Sequence, residues 1–231
     1  MRSCITGRNK RPPTLRVTSI YLFALLLVGC PKSEVSPTPD VDAGPCFFGD
    51  PNKEPELELR ALRADGTDVP LADGDDLAVI FPPQGGRVTF VGVRARNLDG
   101  CGVQLTGALR DPVTKQVRLD GRTLNLRREE DGWGTTGRGA ETDLASSDAI
   151  GDYSNIPLCP NQWADRDIFD QTFELEVVVV DSRKKSVSKK INVVPRCAEP
   201  GEKETACRCL CKKGYVLGES CGEDAGVDSG S

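Results

Sequence analysis

Ten cysteines and no histidine set the chemistry open to this 231-residue chain. Without histidine there is no Ser-His-Asp or Cys-His nucleophile, no histidine metal site and no histidine pH switch. The thiols crowd toward one end, where Cys197 and Cys221 bracket the run Cys207-x-Cys209-x-Cys211. Three thiolates so close suit a soft metal ion, whereas an oxidising compartment turns the same residues into disulfides. Carboxylates are the other candidates: Glu129-Glu130-Asp131 beside Trp133, and Asp65, Asp68, Asp73, Asp75 and Asp76 in a pair of loops. Paired carboxylates can hydrolyse glycosides. Acids adjacent in sequence read more simply as solvated turn residues. No Gly-rich phosphate loop, nucleophile elbow or Ser-x-x-Lys pattern accompanies them. These residues point away from an enzyme and toward no cofactor or metal.

Trp133, Tyr153 and Trp163 are candidate binding residues, because aromatic side chains dominate interaction hot spots. The competing and favoured reading places both tryptophans at the ends of a sandwich core. All three fall between Trp133 and Asp170, a polar, Gly-rich stretch without clear periodicity. So long a loop inside a compact domain is uncommon.

The elements that must position these residues begin with an address. Arg2, Arg8, Lys10, Arg11 and Arg16 precede an apolar run from Val17 to Val28. That run is shorter than the roughly 20 residues of a spanning helix and has the layout of a secretory leader. It ends in Leu27-Val28-Gly29-Cys30, which resembles the lipobox of bacterial lipoproteins. The resemblance implies a leader over 1–29 and acylation of Cys30 with diacylglycerol and a further chain such as palmitate. The membrane is then a partner through Cys30, and the location is a bacterial cell envelope. A thiolate is the nucleophile this lipidation needs, and several acyl chains give firm anchoring.

Residues 30–45 are polar and proline-rich and cannot bury enough surface to fold, so they read as a tether. Asp42-Ala43-Gly44 recurs as Asp224-Ala225-Gly226 in an acidic end over 222–231. These spacers lack the ligand alternation and closing Glu of a calcium loop. Residues 1–29 hold five bases and no acid, so 25 bases face 35 acids in the remainder. A body that acidic repels phosphate backbones and excludes nucleic acid as a partner.

From Glu56 to Pro195 the dominant hydrophobic period is two, within a domain that reads as spanning 46–196. Leu57, Leu59 and Ala61 alternate with charges; Val88 and Phe90 alternate with Val91 and Val93; Phe173, Leu175, Val177 and Val179 form the clearest strand. Asp-Gly, Gly-Gly and Pro-Pro pairs separate the runs. No segment shows a helix capped at both ends. The pattern predicts a mainly β chain built as a β-sandwich. Strands over 172–180 and 186–194 flank the turn Asp181-Ser182-Arg183-Lys184-Lys185. This pair resembles the last hairpin of immunoglobulin-like domains of bacterial surface proteins, implying an immunoglobulin-like sandwich followed by a small disulfide-rich C-terminal tail.

Setting aside Cys4 in the leader and Cys30 leaves Cys46, Cys101, Cys159, Cys197, Cys207, Cys209, Cys211 and Cys221. An even number in an exported chain predicts four disulfides, among 105 possible connectivities. The tail over 197–221, with Cys209-Leu-Cys211-Lys-Lys-Gly214-Tyr215 and then Cys221, resembles the C-terminal half of an EGF-like module. That resemblance implies a Cys211–Cys221 pair and a turn at Gly214. Five cysteines where a full module needs six make it a partial module. The resulting expectation is a lipid-anchored envelope protein, a non-catalytic binding or structural module presenting loops to a protein or glycan. The alternative is an envelope hydrolase using carboxylates alone.

Overall fold

The computed structural model of the protein describes residues 46–160, 163 and 167–221. The expected leader, the tether with Cys30 and the acidic end over 222–231 lie outside the described residues. The elements begin with β1 (Phe47–Phe48), β2 (Glu56–Leu62), β3 (Asp68–Pro70), β4 (Asp76–Val79) and β5 (Arg87–Arg96). They continue with β6 (Leu98–Asp99), β7 (Val103–Arg110), β8 (Val117–Leu124), β9 (Arg127–Arg128) and β10 (Gly134–Thr135). The last are α1 (Ser147–Ile150), β11 (Ser154–Cys159), β12 (Phe173–Val180), β13 (Ser186–Cys197) and α2 (Glu202–Leu210).

Two sheets carry this mainly β fold. The first has the order β3-β2-β5-β10-β9, with β11 added along β5; the second has the order β4-β13-β12-β7-β8. β1 and β6 form a separate ribbon. Only β4 and β13 pair in parallel among the described strands. The period of two does what it predicts. In β12, Phe173, Leu175, Val177 and Val179 are buried while Glu174 and Glu176 are not. Val103, Leu105 and Leu109 of β7 meet them, together with Val91, Val93 and Ala95 of β5, in one cluster drawn from both sheets. Full burial of a side chain of this size contributes about 1.5–3 kcal/mol. A one-residue slip would expose the whole set, so the alternation fixes the register.

The β12–β13 hairpin follows the expected boundaries closely. Its turn is organised by Asp181, whose Oδ1 accepts from the backbone N–H groups of Arg183 at 2.9 Å and Lys185 at 2.8 Å. Oδ2 accepts from the Asp99 N–H at 3.1 Å and so ties β6 to this turn.

The described part of the aperiodic stretch after Trp133 is not a free loop. β11 pairs with β5 from Ser154↔Val91 to Cys159↔Arg87. Residues before it cross the outer face of β5, where Ile150 and Tyr153 pack with Leu62, Ile80 and Phe90. This face could be covered because β5 carries Gly92 there. A Cβ on Gly92 would lie 2.3 Å from Thr136 Oγ1 and 2.8 Å from the Tyr153 ring.

α2 is a second departure, since no helix is expected in the cysteine tail. It begins after Gly201 without a side-chain cap, so it carries no start signal. Once formed, it sorts the C-x-C-x-C run. Residues four apart on a helix share a face and the residue between them points elsewhere. Cys207 and Cys211 are accordingly buried in the main cluster, bonded to Cys197 and Cys159. Cys209 bonds Cys221. The Cys211–Cys221 pair implied by the EGF-like resemblance is therefore not formed, because the helix turns Cys211 inward toward β11. Cys46–Cys101 is the fourth bridge.

The strand ends gather at two poles. Cys46, Cys101, the start of β2 and the end of β5 share one pole, through Phe47↔Asp99 and Glu56↔Arg96. The end of β13 at Cys197, the start of β5 at Arg87 and α2 share the other, through Cys159↔Arg87 and the Cys197–Cys207 bridge.

Candidate functional site

The carboxylates that suggested hydrolysis are held by one guanidinium. Arg94 on β5 pairs with Glu129 through Nε at 2.5 Å, with Glu58 through Nη1 at 2.6 Å, and with Asp131 through Nη2. The backbone N–H of Trp133 and Arg94 hold the Asp131 carboxyl below the usual carboxylate range. A glycosidase acid needs the opposite shift. Glu130, between them, is exposed. The Asp131 side chain also receives the Trp133 N–H at 3.2 Å, closing the turn that brings β10 beside β9.

The aromatic candidates are buried. Trp133 lies under two guanidinium groups, Arg96 at 4.6 Å and Arg94 at 5.0 Å from its ring. Trp163 stands edge-on to Phe173 at 4.9 Å between centroids and packs in the main cluster. Tyr153 is fully buried and donates to Asp68 Oδ2 at 3.0 Å. Arg60 Nε meets the other Asp68 oxygen at 2.9 Å. Burial pushes the Asp68 carboxyl above its ordinary range despite these partners, and it pushes the Tyr153 phenol up as well. None of the three rings offers a free face to a partner, so the contact role proposed from their type does not fit their positions. They fill and latch the core instead.

The remaining acids organise turns. Asp65 accepts from the Thr67 N–H at 2.9 Å, and Thr67 holds its carboxyl below the ordinary range. Asp75 accepts from the Ala72 N–H at 2.8 Å and Asp73 from the Asn192 N–H at 2.7 Å. Asp76 pairs with Arg196 at 3.1 Å. Asp99 lies beside Cys46 and Cys101, but those two sulfurs are bonded to each other. All eight cysteines in the described residues are bonded. Thiolates are what a soft metal binds, so the C-x-C-x-C alternative has no ligands in this oxidised form. Cys30 lies outside the described residues.

The structure offers a different site, a notch between the sheets. β4 belongs to the second sheet, yet the next residue, Ile80, exchanges two backbone hydrogen bonds with Val88 of β5, at 2.8 and 3.0 Å. β2 pairs with β5 only as far as Ala61↔Val91. Between the departing end of β2 and the crossing β4 lies a groove of about 770 Å³. Its floor is apolar, with Ala61, Leu62, Val69, Leu71 and Ala78. Its rim carries Asp65, Asp75 and Asp76 against Arg63 and Arg196. Arg196 is shared by Asp76 and Asp170, so the rim keeps a surplus of negative charge. Sequence reading missed the notch because its residues come from four separated segments and most look like ordinary turn punctuation.

Scans against protein-family models, curated proteins and solved structures give no match. The site and its chemistry stand on this chain's own residues.

Proposed function

We propose that the protein is a lipid-anchored, non-catalytic binding module of a bacterial cell envelope, tethered through acylated Cys30, that receives a protein partner in the notch between β2–β3 and β4. The observation that carries this reading is the notch itself, an apolar floor with a charged rim at the pole away from Cys46. Clefts that combine an apolar lining with a few polar groups are the usual form of binding sites. The engagement of Glu129 and Asp131 by Arg94 supports the non-catalytic part. A protein fits better than a glycan. The most exposed aromatic among the described residues is Phe81, at 37 %, and its ring already carries the Arg87 guanidinium at 4.8 Å. An immunoglobulin-like sandwich remains our reading of the two sheets, supported by the β12–β13 hairpin.

Two experiments test this. The intact mass of the detergent-extracted protein should begin at Cys30, carry acyl chains and lack two hydrogens for each of four bridges. A mass retaining residues 1–29 overturns the anchor. A photo-crosslinking amino acid at Ala64, in the notch, should give a discrete adduct in cells, while one at exposed Thr123 on β8 should not. Equal labelling from both positions, or none from Ala64, overturns the notch as the contact site.

A further inference from the structure

We infer that the notch takes an extended, basic peptide segment as an added strand along the free side of β4, the partner presenting Lys or Arg in alternation with small apolar residues. This rests on the binding-module reading and names its ligand class.

Three observations converge. First, Ile80 turns its N–H and C=O toward β5. Along a strand every second residue faces the same side, so Ala78 and Asp76 present theirs toward the notch, which both residues line. The other side of β4 is taken by β13, from Asp76↔Val194 to Val79↔Cys197. Among the described strands none pairs with the notch side of β4. An open strand side of this kind is a template for a further strand. Second, the floor is apolar and includes the small Ala61 and Ala78, which leave room for small apolar side chains arriving at every second position of the incoming segment. Third, the charge is complementary. Asp65, Asp75 and Asp76 stand at the rim and outnumber its Arg63, Arg196 is already shared between Asp76 and Asp170, and Asp73 lies next to them, where it receives the Asn192 N–H. The intervening outward side chains of an added strand would meet these carboxylates.

The test uses the full-length purified protein and three synthetic probes. The first is a peptide of alternating Lys and Val. The second replaces Lys by Glu. The third keeps Lys and Val but carries N-methyl groups on alternate backbone nitrogens. The inference expects saturable binding of the Lys–Val peptide, slowed hydrogen exchange at the Ala78 and Asp76 amides, and weakening that grows with salt. It expects about a tenfold or greater loss on N-methylation, from the lost backbone hydrogen bonds, and a comparable loss for the Glu–Val peptide. Binding that leaves the β4 amides unprotected, or equal binding of the Lys and Glu peptides, overturns it. If no peptide binds while Ala64 still crosslinks to a partner in cells, strand addition is overturned and the binding-module reading stands. If neither occurs, both fall.

Discussion

Gly92 and Tyr153 are in direct opposition across the outer face of β5, where a side chain on Gly92 would have its Cβ 2.8 Å from the tyrosine ring. The bare backbone at Gly92 is what lets the stretch after Trp133 lie flat and deliver β11 to the sheet. Gly92→Val should therefore destabilise by about 1–3 kcal/mol, the ordinary cost of overpacking. Urea unfolding measures the loss. Hydrogen exchange should show it first at residues 142–153, and a variant with unchanged exchange there would contradict the packing described.

Arg94 holds three carboxylates and leans on Trp133. Partly exposed ion pairs are each worth roughly 0–1 kcal/mol, so Arg94→Met should cost about 1–2 kcal/mol and leave three like charges facing each other. Adding Glu129→Gln and Asp131→Asn should recover part of that loss through relieved repulsion, a non-additive cycle. Additivity within error would mean the network is not coupled.

Arg87 and Glu199 form a buried pair at 2.8 Å, joining the start of β5 to the segment before α2. Glu199→Ala removes the carboxylate paired with this buried guanidinium and should cost about 3–5 kcal/mol. Replacing both residues by apolar ones, Arg87→Met with Glu199→Leu, should recover most of it. The same midpoint for single and double variants in chemical denaturation would sink this assignment.

The bridges can be read directly. Trypsin without reduction should release Cys197 joined to Cys207, because Arg196, Lys203 and Arg208 flank them. It should also release the Cys209-Leu-Cys211-Lys piece joined to two others, one holding Cys159 and one holding Cys221. Fragmentation of that complex should place Cys159 on Cys211 and Cys221 on Cys209. The reverse assignment would restore the EGF-like pairing. Replacing Cys159 and Cys211 together by Ser should cost about 2–4 kcal/mol.

Asp68 gives a signed pH dependence. Its carboxyl is pushed above the ordinary 3.8 by burial, so the folded chain holds that proton more tightly than the unfolded one. The stability this confers is fully present below the ordinary value and is lost as pH rises through the raised one. Asp65 and Asp131, both lowered, act in the opposite direction and lose their contribution as pH falls. The difference in unfolding free energy between the parent and Asp68→Asn isolates the first effect. That difference should slope downward with rising pH just above the ordinary aspartate range. A flat difference would mean Asp68 titrates as if exposed.

Local pattern told much of the fold and little of the site. Phe173 to Val179 reads as a strand because one face is buried and the other wet. Ser154–Cys159 escaped notice because it is short, holds Pro157 and follows a polar stretch whose burial depends on Gly92, some 60 residues earlier. α2 escaped because Gly201 provides no cap and its cysteines are oriented by distant partners. The roles of Trp133 and Tyr153 were ambiguous for the same reason. Arg94, Arg96 and Asp68 decide them, and each comes from another segment. The notch depends on where β4 changes sheets, a property of the whole topology that no window of sequence contains.

That placement also sets how the molecule carries load. Residue 46 enters at one pole and the notch opens toward the other, with β2, β5 and β13 running between. A pull between the two acts along the strands, so many backbone hydrogen bonds are sheared at once rather than peeled singly. Cys159–Cys211 and Cys197–Cys207 fasten the far end, and the first of them closes residues 159–211 into a loop that a pull cannot draw out to its full length. Resistance under such a pull is governed by the rate of unfolding rather than by equilibrium stability, and the architecture places its crosslinks where they would slow that rate.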